Sequence, residues 1–242
     1  MKFSRRTLFS LATLGIAAVV LIAVNNTGGA KIKDLTLATH DSFVMTQSQI
    51  KDFNKKTGYH LKILKLSDAG SLTNKLVLTK GTPIADAVFG IDNSFAGVAT
   101  NAGILDGTLV ATDFGDVCLN FDKNWFTTHK LAAPTSIKDI IKPIYKNMTV
   151  VENPNTSSTG LSFLAASVEI FGEKGWPIFW RKLKANGVKV DDGWETAYYT
   201  DFSGSSGKGA YPIVLSYGSS PADEVRADGK SQTAAIDRKS VV

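Results

Sequence analysis

Cysteine is almost absent: the 242-residue chain has one, Cys118, so an internal disulfide and any Cys-cluster zinc or iron–sulfur site are excluded. Lying between Val117 and Leu119, it reads as a packed thiol rather than a nucleophile. Histidine is scarce too, and His40, His60 and His129 include no pair at the i,i+4 spacing of helical metal ligands, so no metal site is expected. His60 and His129 are expected at the surface. The stretch from Gly204 to Gly209 superficially matches a phosphate loop. It lacks the first glycine at the right distance and a Ser or Thr after Lys208. No G-x-S-x-G elbow is present, and His40 beside Asp41 without a positioned nucleophile is no triad. A basic surplus is lacking as well. The formal net charge is +5, but Lys2, Arg5 and Arg6 fall in the first thirty residues and one further unit in the last six. The body that remains is close to neutral, whereas a nucleic-acid binder would keep a basic stripe.

What is present is ample core-forming material, with 43% hydrophobic and 20% charged residues. Residues 1–30 begin with three positive charges and continue through an uncharged apolar run from Leu8 to Val24, the pattern of an export signal. An uncleaved anchor is the alternative reading. No cysteine follows the run, so a lipid-anchoring site is excluded. Ser4, Arg5, Arg6, Thr7, Leu8 and Phe9 resemble a twin-arginine signal. The protein is therefore expected outside the cytoplasmic membrane.

Downstream, strand and helix patterns alternate. Leu35–Thr39 reads as a strand, Thr46–Thr57 as a helix with Ile50 and Phe53 on one face, and Tyr59–Leu66 as a second strand. A helix over Ser71–Lys80 and a strand over Ala85–Gly90 follow. Beyond them the pattern predicts a strand at Val117–Phe121, a helix at Ser136–Lys142, a strand at Met148–Val151 and helices over Leu161–Phe171 and Ile178–Asn186. Short strands at Val188–Val190 and Pro212–Tyr217 end the series. This rhythm argues for parallel, doubly wound sheets in two α/β units, residues 31–116 and 117–225. Residues 226–242 are left as a tail. In such sheets ligands meet the loops at the carboxyl ends of the strands.

Those loops carry the candidate residues. His40, Asp41, Ser42 and Phe43 follow the first strand, the polar run Leu66–Gly70 the second, and Asp92 and Asn93 the third. Ser157, Ser158, Thr159 and Gly160 lie between a buried strand and a helix start, where amides and hydroxyls can hold an anion or simply cap the helix. Trp194 and Tyr198 are spaced i,i+4 near Glu195, as a stacking platform for a flat or cationic ligand requires, although aromatics at that spacing also build cores. Tyr217 and Ser219 sit where a strand runs into a hydroxyl-rich turn.

The blocks Asp41-Ser42-Phe43, Gly90-Ile91-Asp92-Asn93, Phe114-Gly115-Asp116-Val117, Asn153 to Gly160, Gly193 to Tyr198 and Ser216 to Pro221 resemble, in order, the thiamine-binding substrate-binding proteins of ABC importers. The likeness runs from about Leu35 to Val225. It implies a two-lobed type II periplasmic-binding fold, each lobe a mostly parallel sheet flanked by helices, closing on thiamine or its phosphates. It also implies a monomer that makes or breaks no bond, needs no cofactor and has an ABC permease as its partner. On this reading Trp194, Tyr198 and Tyr217 offer aromatic faces and Asp41 and Asp92 offer charge. Ser157 to Gly160 would hold the hydroxyethyl or phosphate end. His40 departs from the family's aromatic at the start of the first loop. The family also continues past the sixth block, back into the first lobe. Residues 237–242 are what GATCGGAAGAGCGTCGTG would encode, a run like sequencing-adapter DNA. The expectation is thus a fragment lacking the C-terminal return segment and exposing apolar surface on its first lobe. Two other functions remain open at this stage. One is a receptor for ferric iron or a polyamine, with Tyr198 and Tyr199 as an adjacent tyrosine pair. The other is an exported hydrolase using Ser157 or Ser219.

Overall fold

The computed structural model describes residues 33–206 and 208–236. The expected export signal and the residues after Ile236 lie outside them. Two sheets form two lobes. The first is parallel, in the order β2-β1-β3, from β1 (Lys33–Thr39), β2 (Tyr59–Lys65) and β3 (Ala87–Phe89). Helices α1 (Gln47–Thr57), α2 (Ala69–Leu78) and α3 (Ala96–Ala102) accompany it. Each starts on a chemical signal. Thr46 and Gln49 form a reciprocal capping box on α1. Asp68 caps α2 through the Ala69 amide at 2.6 Å, and Asp92 accepts the Ser94 and Phe95 amides as the chain enters α3.

The second sheet runs β6-β5-β7-β4-β8, from β4 (Val117–Asp122), β5 (Thr149–Glu152), β6 (Lys189–Asp191), β7 (Ile213–Tyr217) and β8 (Thr233–Ala235). It is mixed: β5 pairs in parallel with β6 and β7, while β4 pairs antiparallel with β7 and β8. Its core is the better filled, with Leu119, Ile140, Val151, Phe179, Leu183 and Ile213 all buried in one cluster. In the first lobe α1 buries no residue completely, and Leu78 and Phe114 are 83% and 98% exposed. Among the described residues the chain passes from the first lobe to the second once, through 103–116.

Several sequence expectations change here. The helix expected at Ser136–Lys142 is a run of turns, held by Asp139, whose carboxylate accepts from the amides of Thr135 and Ser136 and from Lys142 Nζ. Its Ile137 and Ile140 are buried, so the apolar spacing marked a core contact, not a helix. The two helices expected between 161 and 186 are both present, as the two halves of α5 (Ser158–Ala185) on either side of a break at Gly172, with the second half starting earlier than expected. A helix α4 (Lys123–Thr128) begins directly on the end of β4, with Asp122 capping it. Residues 226–236, left as a tail by sequence, supply β8 at the edge of the second sheet.

Candidate interlobe binding site

The carboxyl ends of β1, β2, β5 and β6 bring their loops together between the lobes. Asp41 and Ser42 from the first loop, Asp68 from the second, and Asp192, Trp194 and Glu195 after β6 line one open cleft. Four of these side chains are carboxylates, and no lysine, arginine or histidine is among the lining residues.

Trp194 opens the short helix α6 (Trp194–Thr196), which continues into a single π turn, Ala197–Asp201. Its indole stacks on Tyr198 with centroids 4.8 Å apart and rings 15° from parallel. The indole N–H donates to Ser216 Oγ at 2.8 Å, and Ser216 in turn meets Ser220 Oγ at 2.8 Å. The Trp194 amide donates to Asp68 Oδ2 at 2.9 Å, across the two lobes. Tyr217 stands 6.3 Å from Trp194, tilted by 53°. Burial pushes its hydroxyl up, and the charges of Asp68, Asp92, Glu152 and Asp113 push it further, which makes this side of the cleft a concentration of acids. His40 is held below its ordinary value by burial, against the opposing pull of Asp68 and Asp41.

The candidate residues fall into three groups. Asp41, Ser42 and Trp194 share the cleft, although Asp41 also ties the first loop to the second by accepting the Ser67 amide at 2.9 Å. His40 and Phe43 turn toward Phe89, at 5.8 and 4.9 Å between ring centroids. Asp92 spends one oxygen capping α3, and Asn93 is exposed. Tyr198 is 1% exposed and lies beneath Trp194, its hydroxyl donating to the Ser220 carbonyl. Ser157 and Thr159 are buried: Ser157 Oγ meets Thr159 Oγ1 at 2.9 Å, and Thr159 donates to Glu152 Oε2 at 2.6 Å. Ser158 is buried, with no hydrogen-bond partner for its Oγ. Gly160 lets α5 sit directly on the end of β5, since a Cβ there would collide with the Glu152 carbonyl. Ser219 is exposed, whereas Ser220 is buried and takes the contact with Ser216.

Asp68 and Ser216, which lay within the run Leu66–Gly70 and the block Ser216 to Pro221 without being singled out, support this site, and Glu152 lies wholly buried under the α5 start, accepting from Thr159. A signal existed for Asp68: an aspartate directly before a helical Ala-Gly-Ser-Leu run reads as an N-cap, and caps in this class of sheet point at the cleft. Glu152 sits at the end of a β-branched strand, where only the fold reveals that its carboxyl is wholly buried.

Two α/β lobes with a polar cleft at the carboxyl ends of their strands define a solute-capturing protein. Residues 84–228 match the family described as bacterial extracellular solute-binding protein, and the chain belongs to it. It is similar to the thiamine-binding periplasmic protein of Salmonella typhimurium, with 31% identity over 83% of this chain. That alignment spans 65% of the relative, and the Escherichia coli protein of the same name is also spanned to 65%. Among solved structures, a periplasmic thiamin binding protein superposes with a TM-score of 0.71 at 27% identity, covering 89% of this chain and 71% of that one. Iron-bound HitA from Pseudomonas aeruginosa, at a TM-score of 0.61 and 20% identity, shares the fold.

Proposed function

We propose that the chain captures thiamine, or a thiamine phosphate, between its lobes outside the cytoplasmic membrane and delivers it to an ABC permease, without catalysing a reaction. The observation that carries the reading is the chemistry of the cleft: an indole beside four carboxylates and no base. Thiamine is a flat aminopyrimidine joined to a permanently charged thiazolium. A ring face and nearby carboxylates attract such a cation. The names of these relatives support the same solute.

The ferric alternative is weakened by Tyr198. Of the adjacent pair Tyr198 and Tyr199, the first is buried under Trp194 with its hydroxyl on the Ser220 carbonyl, so the two cannot meet one metal from the cleft. Isothermal titration of the purified protein with thiamine, thiamine monophosphate, thiamine diphosphate, ferric citrate and spermidine tests the proposal. One-to-one heat with thiamine compounds alone is expected. Heat with iron or spermidine alone would overturn it.

A further inference from the structure

We propose that Asp68 is a positioning residue which fastens the two lobes to each other across the cleft, so that closure is held by contacts between protein atoms and Trp194 is fixed by the first lobe. The proposal rests on the two-lobed binding reading but not on which solute is bound.

The fastening is concentrated at the first turn of α2. Asp68 uses both carboxylate oxygens: Oδ1 accepts the Ala69 amide at 2.6 Å and caps its own helix, and Oδ2 accepts the Trp194 amide at 2.9 Å from the other lobe. One residue on, the lobes meet backbone to backbone. The amides of Gly70 and Ser71 donate to the Thr156 carbonyl at 2.9 and 3.2 Å. These belong to the first-turn amides that a helix cannot satisfy internally, and here the opposite lobe satisfies them. Asn74, a turn further along α2, donates to the Asn155 carbonyl at 3.4 Å.

The approach is as close as the chain chemistry permits. A Cβ on Gly70 would stand 2.7 Å from Thr156 C and 2.8 Å from the Asn155 carbonyl oxygen. On the other side, a Cβ on Gly193 would meet the Asp68 Cβ at 3.3 Å. A bare backbone at both positions lets the Asp68 carboxylate reach the amide of the residue whose indole lines the site. Asp68 therefore acts on the ligand through Trp194: it sets where the indole stands relative to Asp41 and Ser42 in the first lobe.

The test separates helix capping from fastening. Serine at position 68 still caps α2 but is too short to reach Trp194 as well. Dyes are placed on cysteines introduced at the exposed Lys55 in the first lobe and Lys184 in the second, and their separation is read by single-molecule energy transfer without added solute. Asp68→Ser is expected to shift the population toward larger separation while the melting temperature stays within a few degrees of the parent. Gly70→Val, whose side chain would meet Thr156 and Asn155 across the cleft as well as Phe95 in its own lobe, gives the reference for an open molecule once its melting temperature shows the first lobe intact. Thiamine affinity of Asp68→Ser should fall roughly tenfold, the loss of one hydrogen bond to a charged acceptor, chiefly as faster dissociation. If Asp68→Ser lowers the melting temperature more than that, Asp68→Thr gives the same readout, since its hydroxyl also caps α2 and is also too short to reach Trp194. A dye separation in the folded position-68 variant equal to the parent's overturns the proposal. Absence of thiamine heat in the parent would sink the solute reading and leave the dye result standing.

Discussion

One face of Trp194 is covered by Tyr198 and its indole N–H is committed to Ser216, so a flat ligand has the opposite face to meet. Trp194→Ala should cut thiamine affinity by at least about 30-fold, the scale of a central aromatic anchor, as measured by titration calorimetry. Gly160 answers to a different force. Because the Glu152 backbone fills the place of a Cβ, Gly160→Ala is expected to destabilise the fold by about 1–3 kcal/mol in urea denaturation. Glu152 itself is wholly buried, and burial pushes its carboxyl well above the usual range, with only the Thr159 hydroxyl pulling clearly the other way among side chains. A carboxyl that keeps its proton when folded stabilises the protein below its unfolded pKa, and that contribution is lost as pH rises toward the folded value. Glu152→Gln keeps the shape without the titration. Its stability relative to the parent should therefore improve from pH 4 upward, in denaturation curves taken across that range.

At the level of elements, the turn at 135–142 shows how one side chain can stand in for a helix. Asp139 is opposed by burial, but Lys142 and the amide and hydroxyl of Thr135 bring its carboxyl down to about 2. The sign is the reverse of that for Glu152: this support is present above pH 4 and is lost as the pH falls toward 2. Asp139→Asn should lose stability near pH 6 and match the parent's acid limb more closely near pH 2, checked by urea titration at both values. The sequence placed β1, β2, β5 and β7 within a residue or two, because β-branched and apolar runs between polar loops carry their own period. It missed α3, whose Ala-Gly-Val-Ala-Thr-Asn-Ala has too little apolar contrast to show a face. It also missed β8, since three residues are too few for any period and only pairing with β4 makes Thr233–Ala235 a strand.

Across the whole molecule, the two-lobed architecture was legible because alternating elements constrain topology strongly. The site was legible only in part: loop position identified Asp41, Ser42 and Trp194, but which oxygen faces the cleft and which caps a helix depends on contacts between the lobes. Asp68 is a case of that kind. A ligand seated between lobes stabilises both at once. Thiamine at a hundredfold excess over its dissociation constant should raise the melting temperature by about 5–10 °C for a chain of this size, read by differential scanning calorimetry.

The passage through 103–116 has a bearing on how fast the cleft can work. Among the described residues it is the covalent link between the lobes. A flexible stretch of that length spans roughly 20 Å, which keeps separated lobes at an effective concentration of about millimolar with respect to each other. Recapture is then a property of the single molecule and independent of how much protein is present. The dependence on tether length is shallow: doubling it would cost only about 0.6 kcal/mol in closure. A Gly-Ser insertion there should thus slow reclosure by a few-fold at most, a smaller effect than the one expected of Asp68→Ser.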